Sequence, residues 1–293
     1  MDLFNTAEVK PILKWVGGKR ELIPDIREHY LNLKPKKYIE PFFGGGAVYF
    51  DILRVFGSSF KDNSIINDVN TDLIEMYRNI KTQPEELLYF CRELETDYKT
   101  FGYYHIRDRF NGLTREKESV EKYKGVVRSA ALIVLNRTCF NGLYRVNKKG
   151  LFNVPKGNYK NPKIIDESNL FQLAELLPKV ENIRNQEFDS IQEIESGDLV
   201  YFDPPYHPLN ETSSFTAYSG SFGANEQIRL RDYFKSLSEK GVHVILSNSS
   251  APFVKEIYSE FNVLEVYCRR NINSKSSSRG KIPEYLVLGN SFQ

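Results

Sequence analysis

The sequence predicts an α/β protein with a doubly wound, mostly parallel sheet and one inserted, mostly helical segment, and three observations predict it. Short apolar runs recur along the chain, and each is followed by a stretch of helical periodicity. The run 199–202 is apolar throughout and 242–246 nearly so, which suits central strands of a parallel sheet covered on both faces. A glycine cluster and two aspartates stand directly after strand-like runs, where open α/β sheets place their ligands. At 293 residues and 41% hydrophobic content the chain can hold one large domain, or a core domain plus an insertion.

Taken in order, 37–41 reads as a short strand, and Phe43-Gly44-Gly45-Gly46 as a tight turn opening a helix over 47–53. Residues 64–67 give a second strand closed by Asp68, and helical periodicity resumes over 71–80. The rhythm then breaks over 84–161, where helical stretches precede a hairpin-like 143–154. This interval reads as an inserted domain within a core made of 1–83 and 162–293. Strands at 199–202 and 242–246 follow, with helices over 226–239 and 252–261. A closing strand pair is expected at 263–268 and 285–288, with the serine-rich 274–280 as a loop.

Composition narrows the function classes. No window approaches the roughly 18 consecutive apolar residues of a membrane span, and the N-terminus is charged, so a cytoplasmic address and no membrane partner are expected. Cys91, Cys139 and Cys268 lie far apart and the four histidines are scattered, a pattern that predicts no metal site. Net charge is only +2, so attraction to nucleic acid must come from local clusters. One such cluster is 136–165, with Arg137, Arg145, Lys148, Lys149, Lys156, Lys160 and Lys163 and no acidic residue. A second, 266–283, has Arg269, Arg270, Lys275, Arg279 and Lys281.

Glycines directly after a strand let a ligand approach the backbone at a helix N-terminus, and an acidic residue ending the next strand can accept hydrogen bonds from a ribose diol. Phe43-Gly44-Gly45-Gly46 and Asp68 fill those places, without the full dinucleotide fingerprint. Asp203-Pro204-Pro205-Tyr206 is more specific, because it ends a buried strand. An exocyclic amino group on a base is a poor nucleophile, its lone pair delocalised into the ring. Two acceptors, the Asp203 carboxylate and the Pro204 carbonyl, would make that nitrogen more tetrahedral and stabilise the positive charge that builds as it attacks a methyl sulfonium. The prolines fix φ and remove two N–H donors, while Tyr206 offers a flat face to an extruded base. Lys19, beside the glycine pair of Lys14-Trp15-Val16-Gly17-Gly18-Lys19, suits an anionic group.

These motifs, with Glu40-Pro41-Phe42-Phe43, Asn67-Asp68-Val69-Asn70, Asn141-Gly142-Leu143-Tyr144-Arg145 and Phe152-Asn153-Val154-Pro155, resemble the Dam family of DNA adenine-N6 methyltransferases over nearly the whole chain. Their order resembles the alpha group of amino methyltransferases. Ser247-Asn248-Ser249-Ser250 and Lys275-Ser276-Ser277-Ser278-Arg279-Gly280-Lys281 are similar to those of GATC-specific modification enzymes of restriction systems. The resemblance implies a Rossmann-like methyltransferase fold and S-adenosyl-L-methionine bound by Trp15, Lys19, Phe43, Gly44, Asp68 and Asp203, without a metal. It implies catalysis by Asp203, Pro204 and Tyr206. It also implies GATC contacts in double-stranded DNA from Lys14, Phe140, Asn141, Leu143, Arg145 and Pro155, with a cognate restriction endonuclease as a partner acting on the same site. Asn158 departs from the pattern, since close relatives often carry a basic residue there. Cytosine-N4 methylation, RNA adenine methylation and a non-catalytic DNA-binding module are the alternatives; Asp rather than Ser before Pro-Pro-Tyr favours adenine, because a carboxylate accepts without donating.

Overall fold

The computed structural model describes residues 9–15, 17–114, 116–208, 222–269 and 281–292. The chain forms two compact units: Met1–Gly18, Gly44–Asp62 and Asp68–Asn185 make the first, and Lys19–Phe43, Asn63–Asn67 and Gln186–Gln293 the second. Elements are numbered in chain order across both.

The second unit holds α1 (Ile23–Tyr30), β1 (Tyr38–Glu40), β2 (Ser64–Asn67), β4 (Leu199–Phe202), α8 (Ala224–Glu239), β5 (His243–Ser249), α9 (Pro252–Ile257), β6 (Asn262–Arg269) and β7 (Lys281–Leu288). Its strands run in the order β2-β1-β4-β5-β7-β6. The first four are parallel, in register at Ile39↔Ile65, Ile39↔Val200 and Val200↔Val244, and β7 pairs antiparallel with both β5 and β6. The apolar strands are buried because helices cover a parallel sheet: Val200, Phe202, Val244 and Leu246 pack with Leu230 and Phe234 of α8 and with Val287 of β7. From β1 the chain winds one way to β2 and the other way to β4, so the carboxyl ends of β1 and β4 flank the point where strand order reverses. That is where doubly wound sheets bind ligands, and Asp203 is the residue that follows β4 there.

The first unit is largely helical: α2 (Ala47–Phe56), α3 (Thr71–Thr82), α4 (Pro84–Phe101), α5 (Tyr103–Asn111), α6 (Gly125–Thr138) and α7 (Glu167–Leu176), with the two-residue β3 (Ile183–Arg184). Helix α6 is apolar nearly all round and buried from Ser129 to Asn136, as a central helix must be. Asn70 caps α3 by accepting the Leu73 N–H at 3.1 Å.

One expectation is met in short form, and the bounds of two elements are corrected. The hairpin-like 143–154 pairs across its turn in short form: the antiparallel bridge Val146↔Phe152 is flanked by the Asn147 N–H donating to the Leu151 carbonyl at 2.9 Å and the Asn153 N–H donating to the Arg145 carbonyl at 3.0 Å. The Asn147 side chain tightens the turn further by accepting the N–H groups of Lys149 and Leu151. Helix α9 stops at Ile257, short of residue 261, while β5 runs on to Ser249 because β7 continues to pair with it. The loop at 274–280 lies outside the described residues.

Candidate functional site

In the second unit the chemistry gathers on the turn after β4. Lys19 opens a short helical turn and is almost wholly buried, an uncommon place for an ammonium without a partner. Its Nζ meets Asp203 Oδ1 at 2.7 Å and stands 4.6 Å from the centre of the Tyr206 ring. One cation thereby holds both the carboxylate and the aromatic face in place. Burial, aided by the nearby Glu284, outweighs the downward pull of the Lys19 ammonium and leaves the Asp203 carboxyl at about 6. Pro204 is buried, and the Tyr206 hydroxyl donates to Glu284 Oε2 on β7. The arrangement offers an oriented carboxylate and a clamped ring beside backbone that lacks N–H donors at two successive positions.

In the first unit the glycine turn has an occupant that the sequence does not reveal. Gly44 and Gly46 both take left-handed φ, and Gly46 starts α2. A Cβ on Gly44 would lie 2.8 Å from the Trp15 ring, so the absent side chain leaves room for the indole. Asp68 draws both its oxygens to this turn: Oδ2 accepts the Gly44 N–H at 3.0 Å and Oδ1 the Asn70 N–H at 2.9 Å. Burial raises its carboxyl to about 6 against the opposing pull of those two N–H groups. Tyr77 fixes the far side by donating to the Gly44 carbonyl at 3.0 Å. Trp15, Gly44 and Asp68 are therefore brought together, with unused acceptor capacity on a buried carboxylate. Phe43, which belongs to the second unit, has its side chain buried and donates its N–H to Asn67 O at 2.8 Å.

The residues expected to meet DNA share one region of the first unit. Phe140 is 49% exposed and donates its N–H to the Pro155 carbonyl at 2.9 Å. Asn141 is exposed with φ +55, a conformation asparagine tolerates better than most residues. Leu143 and Arg145 are half-buried, and Pro155 is exposed. Arg145 Nε donates to Asn153 Oδ1 at 2.7 Å; no carboxylate pairs with this guanidinium among the described residues. Lys14 is exposed, its ammonium 4.0 Å from the centre of the Tyr159 ring.

Four residues of these sites escape a reading by sequence alone. The buried Asn136 amide accepts the Lys14 N–H at 2.8 Å and donates to the carbonyls of Lys14 and Gly142 at 3.0 and 2.8 Å, tying the two segments together. Glu284, Gln227 and Asn248 surround the Asp203 turn. Each stands far from its partner in sequence, and only Asn248 falls in a motif. No group of three or more His, Cys, Asp or Glu side chains suited to a metal ion occurs among the described residues, and no described helix is long and apolar enough to cross a membrane.

Comparison with known proteins bears on what this chemistry serves. Residues 15–272 match the model of the D12 class N6 adenine-specific DNA methyltransferases. The chain is 41% identical over 289 residues to the type II methyltransferase M1.LlaDCHI of Lactococcus lactis subsp. cremoris, covering 97% of this chain and 96% of that one. It is 43% identical over 296 residues to the type II methyltransferase M.MjaIII of Methanocaldococcus jannaschii, covering 96% and 99%. To the DNA adenine methylase of Escherichia coli K12 it is 34% identical over 283 residues, covering 95% of each.

Proposed function

The chain belongs to the family of D12 class N6 adenine-specific DNA methyltransferases, and from that premise we propose that it methylates adenine N6 within 5'-GATC-3' of double-stranded DNA, on a base extruded from the duplex. The observation that carries the reading is the Lys19–Asp203–Tyr206 cluster on the turn after β4. There Asp203 and the Pro204 carbonyl accept from the adenine amino group, which stabilises the charge developing on nitrogen. The Tyr206 ring stacks on the base. The ion pair to Lys19 fixes the carboxylate before the substrate arrives, so little reorganisation accompanies reaction.

S-adenosyl-L-methionine, the donor used by this family, supplies the methyl group. The residues fit its chemistry: Asp68 has acceptor capacity for a ribose diol, Lys19 suits a carboxylate, and Asp203 suits a cationic group. Trp15, Phe43 and Gly44 complete the proposed cofactor set. Residues 84–161 serve as the target-recognition part and the remainder as the catalytic part. Lys14, Phe140, Asn141, Leu143, Arg145 and Pro155 meet the DNA, with Arg145 reading a guanine edge once Asn153 releases it. Relatives named type II methyltransferases support a role in protecting DNA from a cognate restriction endonuclease, and a DNA substrate supports a cytoplasmic address.

The test is methylation of a plasmid by the purified protein, followed by digestion with endonucleases that require or are blocked by GATC methylation. Nucleoside analysis of the product should give N6-methyladenine. Methylation that leaves both digests unchanged would remove GATC as the site while keeping the reaction.

A further inference from the structure

Asp203 and Tyr206 are held by Lys19 and Glu284, but the backbone between them has no such support of its own. Pro204 and Pro205 carry no N–H, so that stretch can be anchored only through its carbonyls or through the residues beyond Tyr206. The wholly buried Gln227, in the first turn of α8, provides one anchor: its Nε2 donates to the Pro205 carbonyl at 2.9 Å. Its other end is used as well, since Oε1 accepts from Asn248 Nδ2 at 2.9 Å. Asn248, also wholly buried, turns its own Oδ1 to the N–H groups of Ser249 at 2.8 Å and His207 at 3.4 Å. Ser249 Oγ completes the circuit by donating to the His207 carbonyl at 2.7 Å.

We infer that Gln227 and Asn248 are positioning residues that aim the Pro204 carbonyl at the reacting amino group, with Ser249 bracing the loop from beyond Tyr206. The reason is geometric. Two torsions of Pro205 separate the Pro204 and Pro205 carbonyls, and the ring fixes one of them, φ, leaving only ψ to be set. Pinning the second oxygen to Gln227 therefore directs the first. It also leaves the Pro205 oxygen occupied, so that Pro204 presents the acceptor. This gives a task to the Ser247-Asn248-Ser249-Ser250 segment at the carboxyl end of β5. The inference rests on the proposed role of the Asp203 turn.

The experiment compares Gln227→Met and Ser249→Ala with the unaltered full chain in single-turnover methylation at saturating S-adenosylmethionine and DNA. The affinity for each is measured separately. A carbonyl displaced by a fraction of an ångström to 1 Å should slow the chemical step by roughly 10- to 100-fold for Gln227→Met, and less for Ser249→Ala. Both affinities should hold within about threefold, and the acid limb set by Asp203 should not move, because the carboxylate is untouched. Unchanged rates, or affinities that fall by the same factor as the rate, would overturn the assignment. Should Gln227→Met fail to fold, Ser249→Ala decides by the same criteria. Asp203→Ala run alongside separates the two failures: if it is inactive while the others are normal, only the positioning falls, and if all three are normal, the proposed role of the turn falls with it.

Discussion

Asp68 and Asp203 each follow a buried strand in sequence, each is raised to about 6 by burial, and yet the two regions support them in opposite ways. Asp68 in the first unit is held by two backbone N–H groups, from Gly44 and Asn70. Asp203 in the second is held by a full charge, the Lys19 ammonium, beside a ring fastened to Glu284. A carboxylate satisfied by backbone amides keeps its geometry whatever binds to it, which suits a group that only receives a ligand. A carboxylate held by a buried ion pair is aimed and kept charged before a substrate arrives, which suits a group that must act on one. The contrast predicts that altering the second region changes turnover, whereas altering the first changes affinity.

The largest expected effect is Asp203→Ala. Loss of one of two acceptors at the developing charge should lower the single-turnover rate by about 10² or more, with the fold retained and DNA binding little changed. A near-normal rate would erase the distinction between the regions. Asp68→Ala should instead weaken S-adenosylmethionine binding by roughly 10- to 100-fold, the value of a hydrogen bond to a charged group. Sequence preference should stay as it was. Calorimetric titration checks this, and unchanged affinity would take Asp68 out of the site.

How far each region is legible in the sequence depends on the range of its contacts. Strand β2 ends at Asn67, so Asp68 stands at a strand end recognisable from four apolar or small residues, and the Gly44 turn is a local signal too. Strand β4 is equally plain, and with it the place of Asp203. What local pattern cannot express is who reaches that place. Gln227 sits one turn into an amphipathic helix among charged neighbours, where a polar residue reads as solvated surface; only the packing of α8 buries it. Glu284 precedes the apolar run 285–288, a strand signal that does not say which side chain reaches the Asp203 turn. The same limit explains Trp15, since nothing in the spacing of the glycines says that an indole will lie against them. The hairpin at 143–154 is legible for the converse reason, because the backbone bonds across its turn join near neighbours in sequence.

The proposed recognition region offers a third kind of support, and a prediction of intermediate size. Arg145 is held by a neutral partner, Asn153, so releasing it toward DNA costs less than breaking an ion pair would. Arg145→Ala should therefore relax discrimination at one base pair by about 1–3 kcal/mol, read as kcat/KM on GATC against single-base variants. An equal loss on every substrate would make Arg145 a general DNA contact, with no direct reading of a base.

The smallest effect tests the opening comparison most closely, because it asks whether the two carboxylates titrate independently. In the proposed roles both need their charge: Asp68 to accept from a ligand, Asp203 to accept from the amino group. Each is raised to about 6 in the free protein, so protonation removes function as pH falls through that value, and the acid limb of kcat/KM for S-adenosylmethionine reports the free enzyme. With two groups titrating together, log kcat/KM should approach a slope of about two below pH 6. Asp68→Asn should reduce the slope to about one, by removing one titration. Lys19→Met acts on the other carboxylate alone: it removes the charge that pulls Asp203 down, so part of the limb should move to higher pH while the Asp68 part stays. A slope of one in the unaltered protein would mean that only one region titrates in this range. A limb that Lys19→Met leaves in place would mean that the ammonium does not govern the ionisation of Asp203, and the contrast between backbone support and charge support would then fail at the group where it matters most for catalysis.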